Sequence, residues 1–447
     1  TTFYADSSTA SADTAWWELF GDTVLTNLVT TGIMDNTDVR AAAARVEELM
    51  GRYGVTKSDF FPKIDATGNA ARGQFGSGLE DTGNGPRPTG NAFSVDLGAT
   101  WEVDLWGRIR RANEAAKANL LASEAARRGV VLSTAALIAN SYIDLLALDR
   151  QLEIARQTAE SRQHALDLFA QRRAKGDLSD LEYSQAESEY WLAKSQIPVF
   201  QKQITFVEDT INFLLGRNPQ PIMRGSVIDS LALPAVPVGV PSSLLERRPD
   251  VVFAEEQLRA ANARIGVARS LYFPTISLSG LLGVASNDLS HLFDTDAGVW
   301  NVSGSVFQPI FHWGEIGGEV KASEGVQKQA LYGYVGTVRN AFRETEDALT
   351  NRTRTGEQLE AQAGRVKALA LYARLARMRY DEGVTDYLEV LDAERSLFSS
   401  ELDYTRTQAE LYKSVVDIYR VMAGGWLDRA AVESFRIEED VTPRQEH

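Results

Sequence analysis

Two carboxylates spaced two residues apart, Glu102 and Asp104, are of a type and spacing that could support acid–base chemistry. They end a stretch of alternating polar and apolar residues, so the same spacing would also line one polar face of a β-strand, which is the interpretation we prefer. The chain has no phosphate-binding loop, GxGxxG, GxSxG or zinc motif, its four histidines lie far apart, and it has no cysteine. The sequence therefore predicts no catalytic, cofactor-binding or metal-binding residues, and an enzyme is not expected.

A second charged group follows Gly383, where Leu388, Asp392 and Arg395 are spaced four and then three residues apart. In a helix this spacing places the three side chains on one face. A run of charges is normally a solvated face. Whether this one does more depends on the elements that carry it.

The composition limits the classes of partner. The chain has 447 residues, of which 44% are hydrophobic and 24% charged, with a formal net charge of −15. This acidic balance disfavours nucleic acid and an anionic membrane surface as partners. The best candidate for a membrane-spanning helix, Gly129–Leu148, contains Asp144, which is costly in a bilayer. If the chain crosses a membrane, we expect strands to do so.

The chain consists of two copies of one unit, because three motifs recur in the same order. The pairs are Phe60-Phe61-Pro62-Lys63-Ile64 with Tyr272-Phe273-Pro274-Thr275-Ile276, Leu105-Trp106-Gly107-Arg108-Ile109 with His312-Trp313-Gly314-Glu315-Ile316, and Gly176…Leu181-Glu182…Ala186-Glu187 with Gly383…Leu388-Glu389…Ala393-Glu394. The second and third pairs are offset by 207 residues, the first by 212. Each unit is therefore predicted to contain two strands, a Trp-Gly corner and a long helical stretch.

Strict alternation of polar and apolar residues from Ser94 to Leu105 covers about a dozen residues, the length of a tilted membrane strand. Two further alternating stretches follow Pro274 and Val299, while 64–75 is the weakest of the four. Soluble antiparallel sheets alternate in the same way, so the pattern alone does not distinguish the two cases. In a barrel, the predicted lumen residues are Asp96, Thr100, Glu102, Asn301 and Ser303.

Two proline-free stretches, Arg108–Lys175 and Glu315–Glu382, predict helices of about 100 Å at 1.5 Å per residue. Gly176 and Gly383 are predicted turns to returning helices, and Pro198 should kink or split the first of these. After Gly383, apolar residues recur at coiled-coil spacing up to Val416. Four strands are too few to close a barrel, which begins at about eight, so an oligomer is required and three chains would supply twelve.

At this point the chain resembles the outer-membrane factor family, the TolC/OprM-type ducts of tripartite resistance-nodulation-division efflux pumps. The resemblance runs from about Trp16 to Trp426 and favours the multidrug-efflux branch over the protein-secretion branch. It is carried by these stretches: Pro241-Ser242-Ser243-Leu244-Leu245-Glu246-Arg247-Arg248-Pro249-Asp250-Val251, Trp101-Glu102-Val103-Asp104-Leu105-Trp106-Gly107, Tyr387-Leu388-Glu389-Val390-Leu391-Asp392 and Trp17-Glu18-Leu19-Phe20.

The resemblance implies a homotrimer with a twelve-stranded β-barrel in the outer membrane, a long α-helical barrel in the periplasm and a mixed equatorial domain. It also implies a periplasmic adaptor protein and an inner-membrane proton-driven pump as partners, contact with outer-membrane lipid, and a role in antibiotic resistance. Many members are lipoproteins with an acylated cysteine at the mature N-terminus. This chain has no cysteine, so that anchor is expected to be absent or trimmed away.

In the family, the periplasmic end is closed by constricting helix tips. The match to this sequence places six residues at that gate: Tyr380, Leu388, Glu389, Asp392, Arg395 and Glu182. In a trimer, Glu389 and Asp392 would crowd up to six carboxylates near the axis, which should raise some of their pKa values and attract cations. Arg395 could pair within or between protomers and hold the closed state.

The predicted division of the chain follows these elements. The segments are 1–60 (N-terminal equatorial segment), 61–106 (strands 1 and 2), 107–216 (first helical hairpin), 217–270 (equatorial linker and helix), 271–313 (strands 3 and 4), 314–424 (second helical hairpin) and 425–447 (equatorial tail). Two alternatives to the efflux channel remain at this stage: a duct for protein secretion and a soluble coiled-coil scaffold.

Overall fold

A computed structural model describes residues 15–73, 89–234 and 247–422. Several predicted segments lie outside the described residues: the first 14 residues, the loop between the first two strands and the tail 425–447. Residues 241–246, the first part of the stretch 241–251 between the repeats (the interdomain motif), also lie outside them. The described chain contains seven α-helices and four β-strands. In chain order they are α1 (Thr23–Asp35), α2 (Thr37–Ser58), β1 (Lys63–Gly73), β2 (Gly90–Glu102), α3 (Arg108–Lys175), α4 (Asp180–Leu214), α5 (Pro249–Ser270), β3 (Thr275–Ser286), β4 (Gly298–Phe307), α6 (Glu315–Asp381) and α7 (Tyr387–Met422).

The four strands form one antiparallel sheet in the order β1-β2-β3-β4, within a unit made of residues 45–123 and 254–334. The register places most polar residues of the strands on one face and most apolar residues on the other, with Leu281, Val299 and Phe307 as apolar residues on the polar face. The apolar face stays exposed, with Leu97, Leu282 and Val302 exposed by 53%, 66% and 78%. The chain itself therefore leaves the apolar face of this sheet uncovered at these positions.

The second unit, residues 1–44, 124–253 and 335–447, contains most of the helical hairpins. Its largest core joins α1, α3, α4 and α7, and fully buries Ile138, Tyr142 and Ile143 of α3. This part of α3 is apolar enough to pass a length-and-composition test for a membrane span, but 67% of the window is buried in the protein. The expectation that this helix does not span a membrane agrees with this packing.

Pro198 does not split the returning helix, since α4 continues from Asp180 to Leu214. Of the two predicted effects, a kink or a split, the split does not occur, and the kink stays a prediction. Proline removes one backbone hydrogen bond, but Ala193 and Phe200 on either side of it are buried, and Phe200 packs against Leu152 of α3 and Phe398 of α7. Tertiary packing on both sides of the proline holds the helix together.

The segment between the repeats is fixed by two arginines. Arg224 lies between Asp149 of α3 and Glu208 of α4, with its Nε 2.7 Å from the Asp149 carboxylate. Arg248, the second arginine of the interdomain motif, is 6% exposed and forms ion pairs with Asp250 at 2.8 Å and Glu344 of α6 at 2.6 Å. Both arginines tie the connection to the helices α3, α4 and α6.

Candidate gate at the helix tips

The two hairpin turns are built in the same way. Lys175 and Asp381 end the long helices, and Gly176 and Gly383 follow with φ of 81° and 71°. In the first turn, the N–H of Gly176 donates to the Arg173 carbonyl at 3.0 Å and the next N–H donates to the Arg172 carbonyl at 3.0 Å. The second turn repeats this pair of bonds, so both are Schellman turns that require a left-handed residue. The predicted turns are confirmed.

The caps of the returning helices differ between the repeats. Ser179 caps α4, its hydroxyl accepting from the Glu182 N–H at 3.2 Å while the Glu182 carboxylate accepts from the Ser179 N–H at 3.1 Å. In the second repeat the carboxylate of Glu389 instead accepts hydrogen bonds from Arg379 Nη1 at 3.0 Å and from the Thr385 hydroxyl. Glu182 therefore acts within this chain as a helix cap, and its predicted place at the gate stays a prediction.

An aromatic cluster connects the tips of the two hairpins. Phe169 of α3 lies 4.5 Å from Tyr387 and 6.1 Å from Tyr380, measured between ring centroids. Burial and the nearby Glu394 carboxylate raise the pKa of Tyr387 to about 12, so its hydroxyl stays protonated. Burial also raises the pKa of Tyr380. Tyr380, a predicted gate residue, thus belongs to the contact that holds α6 and α7 against α3.

Arg395 pairs within this chain, one of the two arrangements expected for it, and its partner lies on the other hairpin. Its Nε lies 3.0 Å from Oε1 of Glu189 on α4, and this hydrogen bond raises the pKa of Arg395. Glu189 is also 3.1 Å from Nη1 of Arg162 on α3, and the same nitrogen donates to the Glu189 carbonyl at 2.6 Å. Arg162 and Glu189 are 5% and 4% exposed, so this is a buried charge cluster.

A second, half-buried ion pair lies beside the first. Arg377 of α6 and Glu394 of α7 are 3.8 Å apart. Burial raises the pKa of Glu394, with Arg377 and Arg162 acting in the opposite direction. Arg162, Glu189, Arg377 and Glu394 were not predicted as site residues. A signal existed for the first two, since each occupies a position in an otherwise apolar helical stripe: Ala155, Ala159, Leu166 and Phe169 on α3, and Ala186, Ala193 and Phe200 on α4.

Leu388, Asp392 and Arg395 lie on one exposed face of α7, as their spacing predicted. Leu388 is 62% exposed, although the same heptad pattern is buried further along the helix at Phe398, Ala409 and Val416. The predicted coiled-coil stripe of α7 is therefore buried along the helix at Phe398, Ala409 and Val416, while Leu388 near its start is exposed. Leu388 and Asp392 are thus exposed on one face of the tip, and the next residue on this face, Arg395, is held by its contact with Glu189.

The five predicted lumen residues lie on the polar face of the sheet. Thr100 is opposite Ser279, which is opposite Ser303, and the two serine hydroxyls are 2.8 Å apart. Glu102 ends β2 and accepts from Arg108 Nε at 2.8 Å. Asp96 and Asn301 follow the same alternation. The structure brings these residues onto one face, while their role in a lumen stays a prediction.

Asp104 does not continue the strand face, because β2 ends at Glu102. Its carboxylate instead accepts from the backbone N–H groups of Ile109 at 3.0 Å and Arg110 at 2.9 Å, which caps the start of α3. The expectation that it shares a strand face with Glu102 was wrong, but neither carboxylate is free for acid–base work. Within the described ranges no group of three histidine, aspartate or glutamate side chains is arranged to hold a metal.

Comparisons with known proteins agree with this architecture. The family model described as "Outer membrane efflux protein" matches residues 33–217 and 240–424. The chain is 32% identical over 422 residues to TtgC, a probable efflux pump outer membrane protein of Pseudomonas putida, covering 94% of this chain and 87% of that protein. It is 33% identical to the cation efflux system protein CusC of Escherichia coli, covering 92% and 88% of the two chains. The solved structure of the outer-membrane channel OprN aligns with a TM-score of 0.87 at 30% identity, over 95% of this chain and 96% of that one.

Proposed function

Since this chain belongs to the outer membrane efflux protein family, we propose that it is the passive exit duct of a tripartite efflux system for toxic compounds, gated at its helix tips. Family membership favours this function over a secretion duct or a soluble scaffold. The duct has three tasks: to cross the outer membrane, to conduct solutes along a protected path and to remain closed when no pump is engaged. Each task is supported by a different part of the chain.

The exposed apolar face of the sheet is the observation that carries the proposal. Strands of 10 to 13 residues match the length needed to cross a bilayer at a tilt. On the apolar face Val302 and Trp300 are exposed by 78% and 76%, whereas the opposite face carries serine, threonine, asparagine and acids. A water-soluble protein would leave this face exposed at a large cost in free energy, while lipid covers it without any further protein.

Three copies of the sheet form a closed barrel of twelve strands. The outer strands of the four-stranded sheet are β1 and β4, and unpaired strand edges do not persist in lipid. The polar face then lines an aqueous lumen that includes Asp96, Thr100 and Ser303. The two long helical hairpins of each copy join those of the other copies in a periplasmic tunnel.

The tip is the closed end of this tunnel. Leu388 and Asp392 are exposed in the single chain and face the axis in the trimer, while Arg379 holds Glu389 in place at 3.0 Å. The opening force comes from the partners, a periplasmic adaptor and a proton-driven inner-membrane pump. The duct supplies the path and the gate, and the pump supplies the energy.

Single cysteines introduced into this cysteine-free chain test the duct directly. Ser303→Cys places a thiol on the polar face and Val302→Cys places one on the apolar face of the same strand. In a strain that lacks its own duct, each variant should restore resistance to solvents and antibiotics. A bulky, membrane-impermeant thiol reagent should then abolish resistance with Ser303→Cys and leave it intact with Val302→Cys.

Three results contradict the proposal: no gain of resistance from the unmodified chain, recovery of the chain in the soluble fraction, or equal block of both variants. Metal salts are included beside the organic toxicants, because relatives of the chain are named for toluene, antibiotic or cation efflux. Protection against metal salts alone would replace toxic organic compounds by cations as the substrate class.

A further inference from the structure

The internal repeat is preserved in the strand pairing to the single residue. In the first hairpin Lys63 of β1 lies opposite Thr100 of β2, and in the second Thr275 of β3 lies opposite Phe307 of β4. Thr275 follows Lys63 by 212 residues and Phe307 follows Thr100 by 207 residues, the same offsets that separate the sequence motifs. A residue of one hairpin therefore has a defined equivalent in the other.

Side-chain contacts obey the same correspondence. The indole nitrogen of Trp101 donates to the Phe60 carbonyl at 3.1 Å. The equivalents of these residues are Gln308 and Tyr272, and Gln308 Nε2 donates to the Tyr272 carbonyl at 3.2 Å. The side chain has changed from indole to amide, but the contact is kept.

The two hairpins are joined to each other by Trp106. Its indole nitrogen donates to the Pro274 carbonyl at 2.8 Å, and its ring stacks on Phe273 with centroids 4.8 Å apart. This contact fixes the end of β2 against the start of β3. Because the described chain has two hairpins, β1-β2 and β3-β4, they meet at one place, between β2 and β3.

The equivalent joint in the second repeat is open. Trp313 corresponds to Trp106 and is 89% exposed, and Phe61 corresponds to Phe273 and is 63% exposed. They lie at the ends of β4 and β1, the two outer strands of the sheet, and therefore cannot meet within one chain. Among the described residues other than glycine, only Trp313 has a positive φ, 48°, a conformation that costs free energy unless contacts hold it.

We propose that this joint forms between two copies of the chain. Trp313 stacks on Phe61 of the partner subunit and donates its indole N–H to the backbone carbonyl of Pro62 of the partner subunit, while β4 pairs with β1 of the partner subunit. The inference rests on the oligomeric channel proposed above and adds the register and the side-chain lock of its subunit interface. The partner is a second copy, because each copy carries the matching half of the joint, an exposed Phe61 followed by Pro62, at the start of its own outer strand β1.

The repeat also fixes the register of the new strand pair. Gly98 lies opposite Leu281 in the joint within the chain. The same offsets place Ser305 opposite Asn69 of the partner subunit. Both residues lie on the polar face, and this agreement is an independent check, since an error of one residue would set a polar residue against the apolar face.

Disulfide trapping tests the register in this chain, whose 447 residues include no cysteine. Residues directly opposite each other have Cβ atoms about 4.5–5.5 Å apart, close enough for a disulfide, whereas diagonal neighbours are about 7–8 Å apart. Ser305→Cys combined with Asn69→Cys should oxidise in membranes to covalent dimers and trimers on a non-reducing gel. Gly98→Cys combined with Leu281→Cys, the equivalent pair within one chain, should oxidise to a monomer of changed mobility.

The offset pair Ser305→Cys with Ala71→Cys is the matched control and should trap severalfold less oligomer. More oligomer with the offset pair, or none with Ser305→Cys and Asn69→Cys while the Gly98/Leu281 pair oxidises, overturns the proposed register. Resistance measured in the same cells separates this result from a failure of the proposed function, because an efflux-competent chain trapped in another register keeps its function.

The side-chain lock has its own test. Trp313→Ala and Phe61→Ala should each speed dissociation of the purified oligomer in detergent by about tenfold, the loss expected for a stacked ring with one hydrogen bond. The double variant should lose little more than either single one, because both remove the same contact. Additive effects of the two substitutions, or an unchanged dissociation rate with Trp313→Ala, contradict the lock.

Discussion

The sheet and the helix tips place their side chains in opposite ways. The sheet exposes large apolar residues such as Val302 and keeps polar ones on its other face, whereas the tips bury charges such as Arg162 and Glu189 among apolar residues. Exposed apolar surface is stable where lipid covers it, and buried charge is stable only where its partners are held in place. The sheet is thus suited to a membrane, and we expect the helix tips to form a contact that opens when its partners move apart.

The largest effect is expected from placing a charge on the apolar face of the sheet. Val302→Lys should abolish assembly in the outer membrane, since a lysine on the lipid-facing side of a strand costs about 2–4 kcal/mol at the bilayer centre. Ser303→Lys, its neighbour on the polar face, should assemble normally. The folded fraction of each variant is read from heat-modifiable mobility in outer-membrane preparations. Equal assembly of the two variants would mean that the apolar face does not meet lipid.

At the tips the largest effect should come from removing the shared acid. Glu189→Gln leaves Arg162 buried without its counter-charge and should destabilise the tip by about 3–5 kcal/mol. Glu160→Gln, on an exposed face of α3, should change the stability little. The protection of the backbone amides of the α3 and α4 tips from hydrogen exchange measures the stability of the tip in both variants. Unchanged protection with Glu189→Gln would show that the cluster contributes nothing to closing the hairpins.

The exposed acids at the tip should affect conductance more than stability. Replacing Glu389 and Asp392 together by alanine removes the Arg379 contact and two charges per chain, and should raise the resting conductance in planar bilayers severalfold. Asp403→Ala, which removes an exposed acid on the shaft of α7, is the control. A conductance that the double substitution leaves at the wild-type level argues against the gate.

The smallest expected effect is a dependence on pH through Glu394. Its pKa is raised in the folded tip, so the tip gains stability as the pH falls through that pKa and loses it as the pH rises. Arg377, Arg162 and Glu189 are the charged groups that face it. Glu394→Gln should remove this part of the pH dependence of tip hydrogen exchange. A slope that survives the substitution assigns the dependence to another group.

Patterns local in the sequence predicted the helices, strands and turns of this fold. The proline-free stretch from Arg108 to Lys175 is one helix, and the glycines at both turns have the left-handed φ that such turns require. The same patterns did not reveal the Arg395–Glu189 contact, because its residues are 206 positions apart and lie on different repeats. Amphipathic periodicity tells which face of a helix is buried, but not which neighbouring helix it meets.

The same limit explains the errors. The alternation ending at Asp104 looked like continued strand, since the competing role as a helix cap depends on where α3 begins. Pro198 looked like a break, since the packing of Phe200 that compensates it lies outside the local sequence. In both places the sequence pattern was read correctly, but tertiary contacts determined whether the residue extends a strand, caps a helix or splits one.

The length of α3 has a consequence for how such a chain can evolve. Its clusters at Tyr142, Leu152 and Phe169 face neighbouring helices at successive levels of one shaft. One inserted residue between them would rotate everything beyond it by about 100° and turn Phe169 away from Tyr387. Insertions of seven or eleven residues end within about 20° of whole turns and keep the clusters facing their partners, provided that the other arm and the other repeat lengthen as well. The length of such a hairpin therefore changes in steps of about 10 or 16 Å.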